Sequence, residues 1–133
     1  MGQNTNITIT VDTKNINQSN KDKHVTFSDN RGGTQPDGQP ENFLSKVSKN
    51  MKVVWEGKSV NGTDSVEIIE VSRNASKGGV EILEKSKNKG EQGKVEAKVK
   101  DYEVKGDEIY DITFTINGEA SFTIDPKLRM STE

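Results

Sequence analysis

The fold is decided by residues 108–124, which read EIYDITFTINGEASFTI. Apolar side chains occupy every second position on both sides of Asn117-Gly118, and this is the period of a strand with one buried face. Asn and Gly tolerate the positive φ angles of a type I′ turn, so the pair is a strong hairpin signal. The segment therefore predicts a β-hairpin that joins strands at 108–116 and 119–124.

A second Asn-Gly pair, Asn61-Gly62, lies between alternating segments at 51–60 and 65–72. By the same reasoning it predicts a second hairpin. The most regular strand pattern lies at 94–100, KVEAKVK, where small apolar residues alternate with charged ones. An apolar period of two does not fit a helix, whose apolar positions recur about every 3.6 residues.

Shorter apolar alternations predict further strands at 7–11, 25–27 and 80–86, and the segment 89–93 predicts a polar turn. Residues 40–47 fit either a helical turn or a short strand. The count of about eight strands, with turn signals every ~8 to 12 residues, is typical of sandwiches.

These elements predict an all-β protein, and specifically an antiparallel two-sheet β-sandwich with Greek-key or jelly-roll-like connections. A closed β-barrel is the alternative, because periodicity does not reveal how strands connect between sheets. A length of 133 residues suits one domain, which we expect to span 1–133 with polar loops around 12–23 and 28–42. The hydrophobic content of 29% is low, so the core is expected to be thin.

Composition excludes several functional classes. With 19 basic and 21 acidic residues, the net charge of −2 provides no field to attract nucleic acid or an anionic membrane. The absence of cysteine removes disulfides, thiolate metal sites and cysteine nucleophiles. We expect no nucleic-acid partner, no membrane association and no cofactor. No signal peptide or apolar spanning stretch is visible, so a cytoplasmic location is expected, with secretion by another route left open.

Catalytic constellations are not recognisable in the sequence. His24 is the single histidine, which excludes metal sites built on two or three imidazoles. No serine occupies a Gly-X-Ser-X-Gly context, and most acidic residues alternate with lysine on outward strand faces. We therefore expect a protein that is not an enzyme. A carboxylate-based hydrolase is the weakest of the functional hypotheses, because any two acids would have to meet by folding alone.

The loop at 28–42 is the segment most suited to ligand binding, because loops longer than about 12 to 15 residues tend to be functional or disordered. Its oxygen-bearing side chains are hard donors of the kind calcium prefers. The candidate ligand-binding residues are Asp29, Asn30, Asp37 and Glu41. Their spacing matches no EF-hand, and we predict no defined metal site. A plain polar connection between strands is the competing interpretation.

The C-terminal part resembles a known group of proteins. Residues 114–118 (FTING) and 122–130 (FTIDPKLRM) resemble the last hairpin and the Asp-Pro-Lys strand of small bacterial β-sandwich proteins, which are loosely similar to the inclusion-body protein family. The resemblance covers about the last quarter of the chain, with a fainter echo at 51–57. It implies a β-sandwich that is sometimes linked to intracellular protein assemblies, and it supplies no catalytic residues.

Two functional hypotheses follow. The first is a non-catalytic module that acts through a protein partner or through self-association, with a homodimer as one form. The second is a carbohydrate- or calcium-dependent recognition domain that uses the loop at 29–41.

Overall fold

Strands dominate the computed structural model, which describes residues 2–131. The described residues contain ten strands: β1 (Thr5–Val11), β2 (Val25–Asp29), β3 (Leu44–Val47), β4 (Lys52–Ser59), β5 (Val66–Arg73), β6 (Lys87–Lys89), β7 (Val95–Lys98), β8 (Asp107–Ile116), β9 (Ala120–Ile124) and β10 (Lys127–Met130). The helical segments of this part of the chain are four short 3-10 turns. None of its helices has the length and apolar character needed to span a bilayer.

The strands form two sheets, which confirms the β-sandwich. One sheet has the order β2-β1-β4-β7, and the other has the order β3-β10-β8-β5-β6 with β9 also paired to β8. The sheets do not close into a barrel. They are mixed rather than purely antiparallel, because β1 pairs β4 in parallel and β3 pairs β10 in parallel. Alternation reveals which face of a strand is buried but not its direction, so the expectation of wholly antiparallel sheets was wrong at these two pairs.

The C-terminal hairpin forms at the predicted place, although its second strand begins at Ala120 and Glu119 lies in the turn. Phe114 lies opposite Phe122 in the β8–β9 ladder, and the two rings stack with centroids 5.7 Å apart. The turn residues Asn117 and Gly118 have φ angles of 53° and 71°. After β9 the chain bends at Asp125-Pro126 and continues as β10, which pairs with the same edge of β8.

The hairpin predicted at Asn61-Gly62 and the strand predicted at 80–86 were also wrong, because both segments connect the two sheets. The strands flanking Asn61-Gly62 lie in different sheets, so this pair joins the two layers instead of closing a hairpin. Gly57 allows that crossing, because a side chain there would collide with Val66.

The strand predicted at 80–86 is part of a longer segment, residues 79–86, that bridges both sheets. Gly79 pairs with Glu108, and Leu83 pairs with Val99. We call residues 79–86 the crossing segment.

The buried side chains of both sheets form one hydrophobic cluster. Trp55 of β4 and Tyr110 of β8 lie near its centre, and neither has any solvent exposure. The Trp55 Nε1–H donates a hydrogen bond of 3.1 Å to the Tyr110 hydroxyl, and the rings meet edge to face at 5.5 Å. Burial raises the pKa of the Tyr110 phenol, so the hydroxyl stays neutral. This pair joins the two sheets through a polar bond inside the core.

Tyr110→Phe tests that bond. The substitution leaves the buried indole N–H without its acceptor, so the free energy of unfolding should fall by about 1–3 kcal/mol. Tyr102→Phe is the control, because Tyr102 is 56% exposed and should change stability little. Urea denaturation followed by tryptophan fluorescence measures both variants, and equal stability of Tyr110→Phe and the wild type would contradict the assignment.

Candidate functional site

Asp29, the first candidate ligand residue, forms hydrogen bonds within the loop at 28–42 and to β3. Asp29 ends β2, and one of its carboxylate oxygens accepts hydrogen bonds from the backbone N–H groups of Arg31 (2.9 Å) and Gly33 (2.8 Å). The other oxygen accepts a hydrogen bond from the Ser45 hydroxyl of β3. Gly33 is required at this approach, because a Cβ there would collide with the carboxylate. Asp29 therefore folds the start of the loop onto β3.

Asn30, the second candidate, ties the loop to the N-terminal segment. Its side-chain oxygen accepts a hydrogen bond from the backbone N–H of Asn6 at 2.8 Å, and its amide nitrogen donates to the carbonyl of Asn4 at 3.2 Å. Both ends of the amide are thus occupied by the protein's own backbone.

The remaining candidates, Asp37 and Glu41, are exposed. Asp37 lies in a 3-10 turn with a φ angle of 58°. Glu41 borders a surface depression of about 390 Å³ that is also lined by Asn42, Lys77, Ile109, Asp125 and Lys127. Within residues 2–131, no three or more Asp, Glu, His or Cys side chains are grouped so that they could hold a metal ion. The fold does not bring the four candidates together as one donor set.

Gln35 has a role in this loop that the sequence did not indicate. Its side-chain oxygen accepts a hydrogen bond from the backbone N–H of Phe27 at 2.8 Å, and its amide nitrogen donates to the carbonyl of Val25 at 3.2 Å. The side-chain amide therefore bonds to the outer edge of β2 as a peptide group of a neighbouring strand would. Nothing local in the sequence distinguishes Gln35 from other glutamines, because the contact depends on how the loop folds back.

The other polar loop, at 12–23, covers β9 in a similar manner. Gln18 donates from its side-chain amide to the carbonyl of Ser121 at 2.7 Å. Lys21 donates from its ammonium group to the carbonyl of Thr123 at 2.8 Å. The start of the loop is held nearby, since the Thr13 hydroxyl donates to the Asp64 carboxylate at 2.5 Å. Both long polar loops thus place side chains on the edges of sheets.

The edge strands β3 and β7 are covered by backbone. The Leu44 N–H of β3 donates to the carbonyl of Thr34 at 3.2 Å. The crossing segment lies along β7, where the Glu84 N–H donates to the carbonyl of Lys98 at 2.9 Å. The edge strand β6 is only three residues long and carries the exposed side chains of Lys87 and Lys89. Covered edges, short edge strands and edge lysines all limit strand pairing between molecules.

Glu108 is the most deeply buried acidic residue among those described, with 1% exposure. One oxygen of its carboxylate accepts hydrogen bonds from the backbone N–H groups of Ile82 at 2.5 Å and Leu83 at 2.9 Å. Burial raises the pKa of Glu108, and these two hydrogen bonds oppose the rise. A buried acid with a raised pKa can mark a catalytic site, but structural networks have the same effect. Here the carboxyl group anchors the crossing segment.

Glu108→Gln tests this role. Because the folded-state pKa of Glu108 is raised above the ordinary value of 4.5, the stabilisation linked to its protonation is complete below that value. It is lost as the pH rises through the folded-state pKa. Gln keeps the accepting oxygen without the charge, so the stability of Glu108→Gln relative to the wild type should increase with pH above 4.5. Denaturation curves measured across pH check this, and a difference that is constant or falls with pH would contradict it.

The surface depressions do not have the lining that is usual for a small-molecule site. One of about 380 Å³ lies on the β4–β7 side and is lined by Val54, Lys89, Glu91, Lys94 and Glu96. Small-molecule sites are usually enclosed and mostly apolar, whereas this lining is chiefly lysine and glutamate.

The single histidine, His24, lies 3.5 Å from the Asp12 carboxylate, which is an ordinary geometry for a surface ion pair.

The two mixed sheets, joined by a buried aromatic pair and partly covered at their edges, define a β-sandwich protein. Comparison with known families assigns it further: the chain belongs to the family described as Domain of unknown function (DUF8788), whose model matches residues 3–122. Comparison with curated proteins finds no match.

Among solved structures, the chain is similar to the crystal structure of the inclusion body protein PixA from Burkholderia cenocepacia J2315. The two are 15% identical, the TM-score is 0.66, and the alignment covers 98% of this chain and 96% of the other. At this level of identity the similarity establishes the fold. It confirms the resemblance to the inclusion-body family that residues 114–130 indicated, and extends it over nearly the whole chain.

Proposed function

We propose that this protein is a non-catalytic β-sandwich module that acts through contacts with protein chains, foremost with copies of itself. The observation that carries the proposal is the use of the polar loops. Side chains that the sequence offered for ligand chemistry, such as Asp29 and Asn30, bond within the chain. Others, such as Gln18 and Gln35, cover strand edges. Such covers limit edge pairing between molecules, so copies of this chain would pair at an edge that is only partly covered, as β9 is by Gln18 and Lys21.

The similarity to PixA supports the proposal by analogy. That protein is described as an inclusion body protein, and its fold is shared over 98% of this chain. One fold can host many functions, so the analogy only adds to the argument from the edges. The low net charge of −2 adds a second argument, because it leaves little long-range repulsion between copies. We propose that this association takes place in the cytoplasm.

Sedimentation velocity over about a hundredfold range of concentration tests self-association. The weight-average mass should rise reversibly with concentration, because the association involves covered edges and should therefore be weak. A mass that stays at the monomer value over the whole range would contradict the proposal.

The recognition hypothesis for the loop at 29–41 has less support, since two of its four candidates are already bonded within the chain. We expect an excess of calcium chloride to leave the melting temperature unchanged, because a ligand stabilises a fold only if it binds the folded state. Differential scanning fluorimetry with calcium, and with magnesium as control, provides the measurement. A rise with calcium that disappears in Asp37→Ala/Glu41→Ala would favour recognition over self-association.

A further inference from the structure

The β9 edge carries backbone groups that point away from its own sheet. In the β8–β9 ladder, Phe122 lies opposite Phe114, and the same register continues to the bond from the Tyr110 N–H to the carbonyl of Pro126 at 3.2 Å. Hydrogen-bonded and non-hydrogen-bonded positions alternate along an antiparallel pair. The N–H and C=O groups of Phe122 therefore face β8, whereas those of Ser121 and Thr123 face outward.

Side chains cover only half of these outward groups. Gln18 and Lys21 bond to the two carbonyls, of Ser121 and Thr123. The N–H groups of the same two residues have no hydrogen-bond acceptor within residues 2–131. In the covering loop Gln18 is exposed, and Ile16 is partly buried and packs against the core. Withdrawal of two side chains would expose a complete pairing edge.

That edge is complementary to itself. If a second β9 approaches antiparallel with a two-fold axis at Phe122, Ser121 of each copy lies opposite Thr123 of the other. Each such pair exchanges two backbone hydrogen bonds, which gives four bonds across the axis. No charged residue lies on β9, so the pairs formed by Ser121, Phe122 and Thr123 bring no like charges together. The edge of β6 differs, because the same symmetric pairing there would place Lys87 opposite Lys89.

We propose that a second copy of this chain pairs with β9 in antiparallel fashion, and that Gln18 and Lys21 restrain this pairing by occupying the carbonyls of Ser121 and Thr123. The inference rests on the proposed function, for which it names the interface and its control. Dimerisation exchanges four side-chain bonds, two in each copy, for four backbone bonds. It also gives an acceptor to the outward N–H groups of Ser121 and Thr123, and it extends the six-stranded sheet across the axis.

The first experiment removes the restraint. Gln18→Ala/Lys21→Ala deletes both covering donors without touching β9, so the dimer dissociation constant should fall by about tenfold. Gln3→Ala/Lys23→Ala is the matched control, because it removes the same residue types from exposed positions whose side chains form no hydrogen bond to β9 within residues 2–131. Sedimentation velocity supplies the constants, and circular dichroism checks that each variant is folded.

The second experiment addresses the interface itself. Ser121 and Thr123 are both exposed, so charged side chains are tolerated there. In Ser121→Lys/Thr123→Glu each pair across the axis becomes Lys opposite Glu, and association should strengthen. In Ser121→Lys/Thr123→Lys each pair becomes Lys opposite Lys, and association should weaken by about tenfold or more. The two variants share Lys at position 121, so they differ only in the sign of the charge at position 123.

The outcomes separate this inference from the proposed function. Tighter association of Gln18→Ala/Lys21→Ala, together with opposite effects of the two charged variants, supports the β9 interface. Wild-type association that none of these variants changes would overturn the β9 interface and leave self-association standing. Monomers at every concentration, in the wild type and in all variants, would overturn both.

Discussion

The hydrogen bond between the indole of Trp55 and the hydroxyl of Tyr110 is the interaction on which the rest of the structure depends. Each residue belongs to an inner strand of a different sheet, and neither side chain reaches solvent. An unpaired indole N–H in this core would be costly, so the bond fixes β4 over β8. The strands that are hydrogen-bonded to β4 and β8 are positioned in turn. The aromatic pairs Phe27–Phe43 and Phe114–Phe122 pack around the same core.

With only 29% hydrophobic residues, the chain has few apolar side chains beyond those in this core. Polar side chains therefore supply contacts that hold loops and strand edges in place. The amide of Gln35 completes the edge of β2, and the carboxyl group of Glu108 holds the crossing segment against β8. The loops that join the strands also cover parts of the sheet edges. In the interface that we propose, the side-chain bonds of Gln18 and Lys21 separate a monomer from an extended sheet.

Local patterns predicted what is locally determined. The hairpin at 108–124 and the strand within 94–100 were predictable, because alternation and turn chemistry lie within a few residues of one another. The role of Asn61-Gly62 was not, because a turn does not determine whether its flanking strands pair with each other. The segment at 80–86 alternates like a strand, yet the bonds that its Ile82 and Leu83 N–H groups donate to Glu108 hold it between the sheets. Among site residues, the four candidates at 29–41 could be selected from loop composition, whereas Gln18 and Gln35 act through contacts that only the folded chain creates.

Hydrogen exchange of the Trp55 indole proton, followed by NMR, tests the central claim most directly. If the bond to Tyr110 joins the two sheets inside a closed core, this proton should exchange only when the whole molecule unfolds, and should rank among the slowest in the protein. Exchange at the rate of an exposed indole, while the backbone amides of β4 and β8 remain protected, would contradict the account.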